Sequence, residues 1–329
     1  MKKLLLILAL ISPGLLFAQT YAELLGYPKN AKVLILHIDD VGMSFDSNKG
    51  AIEAMENGVA TSLSMMMPCP WIPGFFKYLK THPNIDAGLH LTLTSEWDNY
   101  RWGPLSGKPK VPGLVDTEGA MWDNVAGTVK NATPDEIEIE IRAQLERSRA
   151  MGWEPTHLDS HMGTLFATQG FLERYLKVGM EEKIPVMFPG GHNTMISETT
   201  ASTGLTPQIT TAIGKQLWNA GLPVLDDLHN VSYGWDCPEG KTCTDKEIRA
   251  FKTKKYIETI EKLKPGLTMV IMHCTWPSDI FGEISGSGTT RKGDMLAMTD
   301  PIFKAYLEKN NIVLTTWREA KNRRNQLNK

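Results

Sequence analysis

Long apolar runs are scarce in this 329-residue chain. Past Ile11 no stretch is long and apolar enough to cross a bilayer, which takes ~20 residues. Charge of one sign is also missing. Thirty-five Lys and Arg against 37 Asp and Glu leave a formal net charge of −2. Without a basic stripe the sequence argues against a nucleic-acid partner. It holds no repeat period and no low-complexity segment. Cysteine is limited to four residues. Cys69 and Cys274 each follow an apolar, strand-like run and read as buried thiols rather than nucleophiles. Cys237 and Cys243 close the short loop CPEGKTC. In an exported protein they are expected to form a disulfide. Half of a zinc site is the alternative, but it would need two further ligands nearby, and the spacing supplies none.

Export is expected from the start of the chain. Residues 1–18 have the form of a secretory signal peptide, with Lys2 and Lys3, an apolar core from Leu4 to Ile11, and Leu16-Phe17-Ala18 before Gln19. Pro13-Gly14 interrupts the apolar run, which is then too short to span a membrane. Losing Lys2 and Lys3 would take the net charge from −2 to −4. The remaining residues, 19–329, suit one large α/β barrel or two ordinary domains.

Strand-like and helix-like segments alternate from Val33 to the end, in about eight βα units. Such alternation means a parallel sheet, and the lack of a composition break favours one closed domain. The expected fold is an irregular (β/α) barrel with about seven or eight parallel strands and long active-site loops. A doubly wound open sheet is the runner-up. Two long connections, Thr94 to Thr133 and Pro189 to Thr206, interrupt the alternation, and long ordered loops are usually functional.

The most informative stretch is Val33 to Gly42, VLILHIDDVG. Its apolar start suits a strand covered on both faces. Asp39 and Asp40 are poor strand residues and costly to bury, which places them just past the strand's carboxyl end, where such folds put their chemistry. Adjacent carboxylates repel, and a divalent metal or a shared proton relieves them. The plainer reading is a turn in which Asp40 caps something. Histidines follow the same placement: seven of the eight, all but His82, fall on or just after a strand. They sit in VLILH (His37), GLH (His90), HLDSH (His157 and His161), GGH (His192), DDLH (His229) and MH (His273). One carboxylate and two imidazoles with an open position make a recurrent catalytic metal site. The vacancy takes water, whose pKa falls to ~7 on zinc.

DDVG after the first strand, GLHLTL, THLDSHMG and a strand ending at His273 together resemble the YdjC-like carbohydrate deacetylases, the chitooligosaccharide deacetylase family. GPLSGKPKVPGLVDTEGAMW resembles that family's active-site cover segment, and RKGDMLAMTDP its C-terminal signature. The resemblance implies an irregular (β/α) barrel and metal-dependent removal of N-acetyl groups from amino sugars. It implies Asp40, His90 and His161 as metal ligands, Asp39 as the base and His273 as the acid. Asp159 would then orient an imidazole from outside the metal sphere, with His157 beside it as a rival ligand. The mixed N/O set favours zinc, with magnesium or another divalent ion as alternatives.

The chain departs from the family where Met162-Gly163-Thr164 follows the DSH motif and where Cys274-Thr275-Trp276-Pro277 follows the last histidine. Both departures fall in the substrate region. Sugars stack on aromatic faces, so Trp97 and Trp276 are expected in the cleft, though Trp97, Trp102, Trp122 or Trp276 can equally pin a long loop. Arg291 and Asp294 are candidates for binding sugar hydroxyls or for pairing with each other. The expected partner is a small-molecule or oligosaccharide substrate. Rival readings are an amidase or phosphoesterase on the same rim, and a sugar-binding protein without catalysis. A phosphoesterase would want more cations than Arg291 and Arg318.

Overall fold

The computed structural model describes residues 19–198, 204–237 and 241–327. The signal-peptide expectation for residues 1–18 lies outside them. Among the described residues, seven parallel strands make up the sheet: β1 (Lys32–Val41), β2 (Ser62–Met65), β3 (Ala87–Leu91), β4 (Leu158–Ser160), β5 (Asp227–His229), β6 (Gly266–Met272) and β7 (Val313–Leu314). Hydrogen bonding runs in the order β4-β3-β2-β1-β6-β5. Two single bridges, Leu158 to Val186 and Pro189 to Leu225, carry the ring from β4 round to β5. The segment from Val186 to Pro189 thus joins the ring only through two isolated pairings, which is what makes the barrel irregular.

β1 organises the ring. β6 pairs with it from Lys32 to Ile38 on one edge. The other edge is shared, β7 taking Val33 and Leu34 and β2 taking over from His37. The period of two along β1 separates two cores. Val33 and Ile35 join Leu267, Met269 and Ile271 in the barrel interior, whereas Leu34, Leu36 and Ile38 face the helical layer.

The helices begin where local chemistry starts them. Thr133 and Glu136 form a capping box on the helix Pro134–Ala150, and Thr244 and Glu247 another on Asp245–Lys262. The helix after β1, Phe45–Glu56, is capped by Ser44, whose side chain accepts the Ser47 backbone N–H. The helix Gly288–Met298 packs against Asp245–Lys262 so closely that a Cβ on Gly293 would lie 2.6 Å from Ile248 Cγ1. The connection after Leu91 is not bare loop. It holds a 3₁₀ turn, Pro112–Leu114, and a short helix, Val125–Asn131. No helix among the described residues is long and apolar enough to cross a membrane.

Candidate active site

β1 does not stop short of the aspartates; it runs through them to Val41. A register shift interrupts its pairing with β2 between Ile38 and Val41, and Asp40 takes a left-handed conformation at φ +64°. In a regular strand, neighbouring side chains point to opposite faces. The break at Asp40 turns both carboxylates toward His90: Asp39 Oδ1 lies 3.8 Å from Nδ1 and Asp40 Oδ1 3.3 Å from Nε2.

Asp40, His90 and His161 converge, their ligand atoms all within 4.8 Å of one another and all three side chains buried. Each imidazole is backed by a carboxylate on its far nitrogen. His90 Nδ1 is 2.6 Å from Asp159 Oδ1, and His161 Nε2 is 2.9 Å from Glu96 Oε1. A proton on each of those nitrogens leaves the other nitrogen's lone pair aimed at Asp40 Oδ1, at 3.3 Å for His90 and 3.2 Å for His161. Among the described residues that buried oxygen has no hydrogen-bond partner. Three facing lone pairs call for a cation between them or for protons on the rings. Burial opposes an imidazolium, yet Asp39 and Asp159 raise His90 well above its ordinary value. At His161 burial is likewise outweighed, by Glu96 and Asp40, which take it to about 9. One divalent ion would do the work of both protons, and the donor set, two imidazole nitrogens and one carboxylate, would fit it. Burial also works against the Asp40 carboxylate, but Arg291, with Nη1 2.7 Å from Oδ2, and the two imidazoles hold it well below the usual range.

Beneath this cluster lies a second layer. His37 follows Val33 and Ile35 on the inward face of β1, two residues before Asp39. Its Nε2 sits 3.1 Å from Asp39 Oδ1 and 2.9 Å from Asp159 Oδ2, and its Nδ1 is 3.0 Å from Ser62 Oγ. Asp159 thus serves His90 on one oxygen and His37 on the other. Burial would lower the His37 pKa, but hydrogen bonding to Asp159 and Asp39 raises it to about 9. His157 stands behind, its Nε2 3.5 Å from Asp159 Oδ2 and its ring stacked on Trp317 at 5.2 Å. It supplies no atom to the Asp40 cluster. Gly88 makes room for it, since a Cβ there would meet the imidazole at 2.4 Å.

His273 ends the opposite wall, just past β6. Its Nε2 is 4.0 Å from Asp39 Oδ2, and Tyr233 packs edge-on at 5.0 Å. Asp294 positions it from behind by accepting the His273 backbone N–H at 3.0 Å. The expectation for Asp294 is therefore corrected. It is fully buried and bonded to Lys252 Nζ at 2.8 Å and Tyr256 OH at 2.7 Å, does not line the cleft, and is unpaired with Arg291. Arg291, one helical turn earlier, reaches the other way, to Asp40. The helix Gly288–Met298 sets both.

Asp39, Asp40, His90, His161, His273 and Arg291 line one cleft of about 660 Å³. Trp97 lines it too, its ring 6.5 Å from His161. Trp276 does not: it is 40% exposed outside the cleft, with Lys49 Nζ 4.1 Å above its ring. Trp102 and Trp122 are loop pins, their indole N–H groups donating to Thr94 and Gly113 carbonyls. Tyr100 ties the same loop to the Met43 carbonyl. Arg318 is far from the cleft, bonded to the carbonyls of Asn84 and Ile85. Cys237 and Cys243 are joined, with Cα atoms 6.0 Å apart, and Cys69 and Cys274 are free and buried.

Two site residues escape the sequence reading. Glu96 lies in the loop after β3, and only the fold brings it to His161. His37 carries a usable signal, its i, i+2 spacing to Asp39 on one strand face.

Residues 33–309 match the family model described as YdjC-like protein. A carbohydrate deacetylase from Thermoanaerobacter pseudethanolicus is 24% identical over 87% of this chain and 98% of its own length. A carbohydrate deacetylase from Thermus thermophilus is 26% identical over 88% of this chain and 94% of its own. A solved structure from Enterococcus faecalis, described as a candidate cellobiose-phosphate cleavage protein, superposes with a TM-score of 0.69 at 20% identity, covering 87% of this chain and 98% of that one. At that identity the likeness is one of fold. With the family model spanning the barrel from β1 almost to β7, this chain belongs to the YdjC-like family.

Proposed function

We propose that the protein is a metal-dependent hydrolase that removes acetyl groups, N-acetyl before O-acetyl, from a saccharide. The observation that carries the reading is the convergence of Asp40, His90 and His161 on one unpartnered buried oxygen, with Asp39 and His273 beside it. The names of the full-length relatives support the substrate class. Asp40, His90 and His161 would hold the ion, with zinc the first expectation from the mixed donor set. A divalent ion there supplies Lewis-acid polarisation of an acyl carbonyl and water that ionises near neutral pH.

The chain's own residues do the proton work. Asp39, oriented by His37, takes the proton of the attacking water. Burial lowers the His273 imidazole below 6.5, so it begins neutral at pH 7 and gains its proton within the cycle. Asp39 Oδ2, 4.0 Å from His273 Nε2, is the nearest source of that proton, which the imidazole then delivers to the leaving amine. A phosphoryl substrate fits less well, because Arg291, the cleft's cation, is committed to Asp40. We also assign residues 1–18 to an export signal and 19–329 to the single barrel domain.

The test strips the pure protein with a chelator, restores single divalent metals, and assays acetate from a panel of N- and O-acetylated sugars. Restored release with zinc or another divalent ion is expected. Release that survives full removal of metal, or none from any sugar, would overturn the reading.

A further inference from the structure

The cleft has two unlike halves. Its carboxylate, imidazole and guanidinium side chains all come from the side already described: Asp39, Asp40, His90, Glu96, His161, His273 and Arg291. The half between β4 and β6 is a mostly hydrocarbon wall. Phe166, Met187, Phe188, Ile196, Leu228 and Ile271 line it. Four of these, Met187, Ile196, Leu228 and Ile271, belong to the apolar cluster filling the barrel interior, with Phe166 packed against it. Here, where the ring is held by single bridges, the top of that interior is open to the cleft instead of being sealed. The polar side chains of this half are Asn193, Ser197, Thr210, Asn230 and Tyr233, and Asn193 Nδ2 donates to Thr210 at 2.9 Å, leaving its own Oδ1 as a buried acceptor.

A subsite for a second sugar ring would need donors and acceptors for each hydroxyl, because a hydroxyl pressed on hydrocarbon loses its water without replacement. This wall has few. The cleft is also of a size that takes a whole drug-sized ligand rather than an acetyl group alone. We infer that the wall binds a hydrocarbon chain carried by the saccharide, so that the preferred substrate is amphiphilic rather than a free oligosaccharide. The inference rests on the proposed function for the placement of the sugar at the metal side. The chain has two chemical sources, a longer acyl group on the sugar nitrogen or an alkyl aglycone.

Two substrate ladders separate the sources: N-acyl glucosamines from acetyl to octanoyl, and alkyl glycosides of N-acetylglucosamine from methyl to octyl. Along one ladder kcat/KM should rise, by up to about fourfold per buried CH₂. Leu228→Gln, or Phe166→Ser should the first fail to fold, should flatten the rise while keeping turnover of the shortest substrate. Calorimetric binding of octyl glucoside, against methyl glucoside, is read in parallel and needs no catalysis. Tighter octyl binding that Leu228→Gln or Phe166→Ser abolishes supports the chain site even in a protein that releases no acetate, so the two readings fail separately. Flat ladders in an active enzyme, or equal binding of octyl and methyl glucosides, would overturn the inference.

Discussion

Glu96 offers the sharpest test of how the metal-side residues work together. Its Oε1 accepts from His161 Nε2 at 2.9 Å, and that contact sets which nitrogen of the ring faces Asp40. Glu96→Gln keeps the length of the side chain and one acceptor oxygen but removes the charge. Charge-assisted hydrogen bonds are roughly twice as strong as neutral ones. Loss of such an outer partner typically costs ~10–100-fold in metal affinity. The low end is expected for Gln, about tenfold or ~1.4 kcal/mol, and the high end for Glu96→Ala, which leaves the Nε2 proton without an acceptor. Asp159→Asn is a harsher comparison. Asp159 lies against three imidazoles, those of His37, His90 and His157, so its replacement should also lower the melting temperature. Glu96 is part-exposed and touches one, so Glu96→Gln should melt near the parent. The assay is zinc affinity by competition with a chromophoric chelator, with a thermal melt alongside. Parental zinc affinity combined with lost turnover would refute the reasoning and put Glu96 on the substrate instead.

The two adjacent aspartates should separate by metal content and turnover. Asp40→Asn should lose the ion, whereas Asp39→Asn should keep it and lose ~10²–10⁴-fold in turnover, measured by elemental analysis and acetate release. His273→Gln should also keep metal, with a smaller loss on activated esters, whose leaving group needs no proton. Lys252→Met strands the buried Asp294 carboxylate and should cost about 3–5 kcal/mol in a urea melt. A loss under 1 kcal/mol would show that Tyr256 and the His273 backbone N–H suffice. His229 sets part of the acid limit of stability. Burial lowers its pKa from 6.5 to about 4, so between those values the unfolded chain binds the proton more readily than the folded one. Stability from this group is therefore full above about pH 6.5 and is lost as pH falls toward 4. His229→Asn should flatten that limb in melts run across the window, and an unchanged slope would exclude the assignment.

Much of the scaffold is legible in local sequence because local forces set it. The helix Pro301–Lys309 and the start of Pro134–Ala150 follow from proline, caps and apolar spacing. The strand-end residues of β1, β3, β4 and β6 follow from charge that cannot sit inside a sheet unpaired. Family motifs then attach roles to Asp39, Asp40, His90, His161 and His273, and the barrel gathers all five into one cleft. What local sequence does not carry is the pairing between distant segments. The helix Gly288–Met298 has no clear apolar period, yet it decides that Arg291 faces Asp40 and Asp294 holds His273. Trp276, one of four candidate tryptophans, falls outside the cleft because the chain after β6 turns back over the helix Phe45–Glu56, where Trp276 N–H meets the Asp46 carbonyl.

The clearest case is a repeated dipeptide. Asp39-Asp40 and Asp226-Asp227 look alike in sequence, each beside a strand and near a histidine. Asp39-Asp40 lies at the carboxyl end of β1 and enters the metal-side cluster. Asp226-Asp227 lies at the amino end of β5, where Asp226 accepts the backbone N–H groups of Tyr21, Ala22 and Leu267 and Asp227 those of Met195 and Ile196. Composition and spacing bring acid to strand ends. Which end, and therefore whether the acid faces the His90 and His161 pair or is taken up by backbone amides with His192 beside it, depends on where neighbouring strands begin and stop pairing, and only the tertiary fold decides that.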